Sequence, residues 1–138
     1  MRKLNTETRA AILTALVEGN SIASTCRMFG VNKITVLRLL ADAGTLATDY
    51  HDLTVRELST RSVQLDETWS FCHSKHRNVK VKDHGKGYGD CWTWVAIDAS
   101  TKLVVTWLVG GRNTGYANQF VADLADRLAD RVQISSDG

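Results

Sequence analysis

The chain has 138 residues, 43% of them hydrophobic and 23% charged, and a formal net charge of +2. That length holds one ordinary domain or a small one joined to part of a larger one, and so weak a net charge leaves any polyanion-binding role to local clustering of cations. Three scattered cysteines (Cys26, Cys72, Cys91), the lack of a charged-then-apolar leader and the lack of an apolar run near ~18 residues argue against a disulfide scaffold and a membrane protein, and predict a reduced, soluble, cytoplasmic chain.

The first helical pattern covers residues 5–18, where Ala11, Ile12, Ala15 and Leu16 recur at i, i+3/i+4 spacing before Gly19. Ser21 is a good N-cap for a second helix to about Met28. Asn32 can cap a third, which carries Val36, Leu39 and Leu40 to about Ala43 and is expected to end at Gly44. The segment "SIASTCRMFGVNKITVLRLL" resembles the general helix-turn-helix pattern, in which the second helix enters the DNA major groove and the turn before it needs a residue with positive φ. Gly30 is placed for that turn, and small Cys26 for the contact between the helices. With Val36 and Leu39 inward, Lys33, Ile34, Leu37, Arg38 and Ala41 face outward. Asn32, Lys33 and Arg38 are therefore DNA-binding candidates, and Ile34 could meet a thymine methyl group. The plainer reading is a three-helix bundle with scattered surface charge, Ile34 and Leu37 packing on a neighbouring domain.

Residues 1–44 thus read as one domain, and 45–61, polar and without a sustained period, as a linker with about one turn of helix. From Ser62 the period changes to two: Val63, Leu65, Trp69 and Phe71 alternate with Gln64, Asp66, Thr68 and Ser70. "CWTWVAID" and "KLVVTWLVG", joined by "ASTK", read as a hairpin of strands. Ala117, Phe120, Val121, Leu124, Ala125 and Leu128 keep helical spacing from Thr114, the expected N-cap, to about Asp130, and "RVQISSDG" reads as a final strand.

Asp66 and Glu67 are adjacent on the first strand and so point to opposite faces. Asp66 lies on the polar row and is the better functional candidate; Glu67 lies among apolar residues and needs a cationic or hydrogen-bonding partner there. If the helix crosses over so that the last strand returns parallel to the first, Asp137 comes near Asp66. Two carboxylates brought together call for a cation, and hard oxygen ligands suit Mg²⁺ or Mn²⁺ and phosphoryl chemistry.

"VQLDETWSF", "GDCWTWVAIDASTKLVVTWLVGGRN" and "RVQISSDG", downstream of the helix-turn-helix pattern, resemble the transposases of the insertion sequence 1 family, closely from about Ser62 onward and more loosely before it. The resemblance implies an α/β fold: a three-helix helix-turn-helix domain, then, over residues 62–138, the first part of a ribonuclease H-like mixed sheet with three antiparallel strands, a helix and a parallel strand. It makes Asp66 and Asp137 the first two acids of a DDE triad, both catalytic and both metal ligands. It further implies cleavage and strand transfer of double-stranded DNA at insertion-sequence ends and target, a nucleoid-associated bacterial location, no membrane partner, and room for homo-oligomers. The family's third acid, a glutamate on a later helix, has no counterpart before Gly138, so the expectation is a truncated transposase without strand-transfer activity alone. The rival expectation is a non-catalytic helix-turn-helix regulator or repressor of transposition.

Between the first two strands, Lys75, Arg77, Lys80, Lys82 and Lys86 outnumber Asp83 and Asp90, a loop that can follow a phosphate backbone or simply be solvated. "GKGYG" has neither the spacing of a dinucleotide fingerprint nor the Gly-Lys-Ser/Thr of a phosphate-binding loop. Cys72, His76, His84 and Cys91 are irregularly spaced for a zinc shell. Trp69, Trp92, Trp94 and Trp107 are expected in the core, between sheet and helix.

Overall fold

A computed structural model describes residues 4–136, and the chain divides into two compact units between Thr54 and Val55. The first is all helical. Helix α1 (Thr6–Val17) starts where the Asn5 side chain accepts the Thr8 N–H at 2.8 Å, and α2 (Ile22–Phe29) where the Ser21 hydroxyl accepts the Ser24 N–H at 3.1 Å. Gly30 ends α2 at φ 61°, a left-handed conformation that lets the Val31 N–H return to the Cys26 carbonyl at 3.1 Å. The Asn32 Oδ1 then accepts the Ile34 N–H and opens α3 (Lys33–Thr54). Ile12, Val36 and Leu39 are buried at the centre, with Leu13, Leu16, Ile22, Cys26 and Phe29 packed around them.

Helix α3 runs ten residues beyond Gly44, the position expected to end it. Glycine within a helix costs only about 1 kcal/mol relative to alanine, Gly44 does not adopt positive φ, and the chain has no proline to break the run. Hydroxyls of Thr45, Thr48 and Thr54 bond the carbonyls four residues back, which pairs these polar side chains within the helix. The remainder of the expected linker is not loose either. Leu58 N–H donates to the Arg127 carbonyl at 2.9 Å, and Ala129 N–H donates to the Leu58 carbonyl at 3.2 Å.

The second unit is mixed α/β. Its strands β1 (Ser62–Cys72), β2 (Gly89–Asp98), β3 (Val104–Gly110) and β4 (Gln133–Ser136) lie in the order β3-β2-β1-β4, with helix α4 (Thr114–Arg127) between β3 and β4 in the chain. Strands β1–β3 are antiparallel, and β4 pairs parallel to β1 from Ser62↔Gln133 to Leu65↔Ser136. Helix α4 covers one face of the sheet: Val63, Ala96, Val105, Phe120 and Leu124 form the buried core, with Leu65, Trp94 and Leu108 beside them. Its N-cap is Asn113, not Thr114, because the Asn113 Oδ1 accepts both the Gly115 and Tyr116 N–H groups. It stops at Arg127, before Asp130, where the chain turns extended to bridge Leu58 and Leu128.

Two polar clusters hold this core in register. At the β2–β3 turn the buried Asp98 carboxylate accepts the Ser100 N–H and hydroxyl, both at 2.8 Å, and the Thr101 hydroxyl at 3.0 Å; these bonds, the Ser100 N–H foremost, hold its carboxyl far below the ordinary aspartate range. On α4, Asp123 joins Arg127 (Nε–Oδ2 2.8 Å) to the Thr106 hydroxyl of β3. Arg127 also donates to the Val55 carbonyl at 3.5 Å.

The tryptophans depart from expectation. Trp94 packs on Phe120, ring centroids 5.9 Å apart, and its indole N–H donates to the Gly111 carbonyl at 3.2 Å. Trp69 and Trp107, however, keep 40% and 38% of their surface exposed. The reason for Trp69 is length: an 11-residue strand reaches ~36 Å and the 14-residue α4 only ~21 Å, so the outer half of β1 runs past the helix. Trp107 lies opposite Val95 and hence on the other face, which α4 does not cover.

Candidate acidic site and nucleic-acid interface

Strand alternation separates the two neighbouring carboxylates as expected. Asp66, opposite Val95, is exposed on the face away from α4, and its Oδ1 accepts the Glu67 N–H at 2.8 Å. Glu67, opposite Trp94, is on the helix-bearing face and finds the required cation in Arg112, whose Nη2 lies 2.6 Å and Nε 2.7 Å from Oε1. That bond spans 45 residues of chain and ties the β3–α4 loop to β1. With Glu67 neutralised from the opposite face, Asp66 is the carboxylate of this pair that can serve a ligand.

The parallel ladder brings the end of β4 to Leu65, one residue before Asp66. Asp137, the second acid expected here, lies outside the described residues. As a donor, Asp66 suits a hard divalent cation: it is an exposed carboxylate on a strand held on both sides by ladders. One carboxylate alone holds such an ion weakly, and among the described residues no group of three or more His, Cys, Asp or Glu side chains gathers as a metal site. Cys72, His76, His84 and Cys91, weighed above for zinc, form no such group.

Of the DNA-binding candidates in the first unit, Lys33 and Arg38 are exposed on one side of α3 together with Ile34, Leu37 and Ala41, while Val36 and Leu39 face the core. Asn32 is exposed too, with its Oδ1 occupied in starting the helix. In the second unit Arg77, Lys80, Lys82 and Lys86 are exposed on a loop folded through two 3₁₀ turns, His76–Asn78 and Val81–Asp83. Lys86 pairs with Asp83 at 2.7 Å, and Asp90 accepts the His76 N–H at 2.9 Å, so both acids of this segment are engaged. Lys75 places its ammonium 5.1 Å from the Trp69 ring centroid.

Sequence reasoning missed a cluster beside that lysine. Trp69 and Trp92 are cross-strand partners, Phe71 follows Trp69 on the same face with ring centroids 5.7 Å apart, and the Arg112 guanidinium lies 4.9 Å from the Trp92 centroid. Its signal in the sequence is the alternate aromatics on β1 opposite "CWTW", a pattern that core strands share. The sequence matches no protein-family model, and no curated protein matches it. Among the described residues no helix is long and apolar enough to cross a membrane.

Proposed function

We propose that the chain is a DNA-binding protein of the DDE transposase kind, with a helix-turn-helix unit for double-stranded DNA and a ribonuclease H-like unit for metal-dependent cleavage and strand transfer. The observation that carries this reading is the parallel pairing of β4 with β1, which brings Ser136 opposite Leu65, one residue before Asp66. Asp66, with Asp137 by resemblance, would hold Mg²⁺ or Mn²⁺. Such an ion, when bound, lowers the pKa of a water or 3′-hydroxyl nucleophile and offsets the charge on the leaving oxygen. The chain's own part is positional: the β2 ladder fixes the Asp66 backbone opposite Val95, and the Glu67 N–H orients its carboxylate. In keeping with the expectation above, insertion-sequence ends incubated with the chain and Mg²⁺ show a footprint and no new termini. Mg²⁺ or Mn²⁺ binding, followed by calorimetry, is lost in Asp66→Asn with the footprint unchanged, whereas a chain that footprints these ends and binds neither ion favours the regulator reading.

The face of α3 bearing Lys33, Ile34, Leu37 and Arg38 supports the DNA-binding half. It exposes two cations and two apolar side chains at helical spacing, after a turn closed by a left-handed glycine. Lys33→Ala/Arg38→Ala weakens binding to duplex DNA and reduces the slope of log K against log[salt] by about 2, one for each lost phosphate contact. An unaltered slope would remove α3 from the interface.

A further inference from the structure

We propose that the outer half of the β1–β2 ribbon is a stacking platform for single-stranded nucleic acid, on which Trp69 and Phe71 receive unpaired bases while Lys75 and the other cations of the 73–90 loop receive phosphates. The proposal deepens the DNA-processing reading and takes from it the class of polymer.

Two large rings side by side on a strand, 40% and 48% exposed, are unusual on a surface that needs them for no core. They lie on the helix-bearing face beyond the reach of α4, with Trp92 opposite Trp69. The ribbon beneath them is firm. The β1–β2 ladder continues to Cys72↔Gly89, and the His73 and Tyr88 rings stack at its end, centroids 4.3 Å apart. Bases bind such rings because each base has an apolar face, and the stacking tolerates any sequence.

Charge selects the occupant. Lys75 sits over Trp69 and leaves donors for an anion beside an aromatic face, while Arg112, over Trp92, is held by Glu67 and completes the platform's edge. With Lys86 paired to Asp83, the loop leaves Lys75, Arg77, Lys80 and Lys82 against the single carboxylate of Asp90, which accepts the His76 N–H. A polyanion with exposed apolar faces complements this surface; a second copy of the same cationic patch repels it. Duplex DNA offers phosphates but keeps its base faces stacked on one another, so the complementary form is unpaired.

The test compares a fluorescein-labelled oligothymidine with a labelled blunt duplex, each titrated with the full chain and read by anisotropy. Trp69→Ala/Phe71→Ala is expected to weaken oligothymidine binding about tenfold or more with duplex binding little changed, and Trp69→Phe, which keeps a ring, to retain most of the affinity. Lys33→Ala/Arg38→Ala gives the converse pattern. Unchanged oligothymidine affinity in the double ring variant, with a wild-type melting temperature, would overturn the platform and leave the α3 reading standing. So would equal losses for oligothymidine and duplex, or a dimer by light scattering that the ring variant converts to monomer without either protein binding oligothymidine. Oligothymidine binding in a chain that ignores duplex supports the platform and sinks the α3 reading instead.

Discussion

Truncating Phe120 to alanine lowers the unfolding free energy of the sheet-bearing unit by about 3–5 kcal/mol, the cost of removing a buried aromatic ring and leaving a cavity. Phe120 is 2% exposed, is the point where α4 meets the Trp94 ring, and shares the interior with Val63, Ala96 and Leu124. Leu124 sits one turn further along the same helix face, so the hole cannot close by a small rotation of α4 without opening another at that position. Urea titration followed by tryptophan fluorescence reads the effect as a lower midpoint at unchanged slope. Phe120→Leu should recover more than half of the loss. A loss under ~1 kcal/mol for the alanine variant would mean that α4 does not seat on this face of the sheet.

The second large effect comes from Asp123→Ala. Arg127 is buried, with only 7% of its side chain exposed, and Asp123 supplies two of its hydrogen bonds, Nε–Oδ2 at 2.8 Å and Nη2–Oδ1 at 3.1 Å. Without the carboxylate the guanidinium loses these two charge-assisted bonds, and the Thr106 hydroxyl loses its acceptor. Breaking a buried pair from one side costs 3–5 kcal/mol, and because Asp123 is itself 37% exposed the lower end applies, about 3 kcal/mol. Burial by itself would raise the Asp123 carboxyl, yet hydrogen bonds from Arg127 and Thr106 hold it below the ordinary aspartate range. The sign follows. A carboxyl depressed by folding contributes stability above its unfolded value and loses that contribution as pH falls through the folded one, so wild type and Asp123→Ala converge in stability on acidification below the usual aspartate range. Parallel stability curves across that range would assign the loss to packing alone.

How much could be read in advance depended on whether the deciding interaction was local. The alternation from Ser62 to Phe71 placed Asp66 and Glu67 on opposite faces, because a strand's period is two regardless of what packs on it. Gly30 was legible for the same reason: a left-handed turn between two short helices requires it. The parallel return of the last strand followed from topology. The long α3 was not legible, since residues 45–54 have no apolar period and only the absence of a breaker lets the helix run on through them. The Glu67–Arg112 and Asp123–Thr106 bonds join residues far apart in the chain, which no local pattern encodes. The exposed platform was hidden by a general preference: tryptophans opposite one another on strands are usually core, and only the relative lengths of β1 and α4 show that these extend past it.

Strand β4 has four residues, all exposed, and it reaches β1 only after the chain has passed through the other two strands and the helix. A segment held by so little and closed over so long a loop is the last to zip and the first to fray. Asp66, by contrast, rides on the longest ladder of the sheet, β1 with β2. Whatever joins β4 from its free side, whether another strand or a ligand that grips both, therefore acts as a latch: the event that completes the ladder is also the one that sets how long the neighbourhood of Asp66 stays assembled.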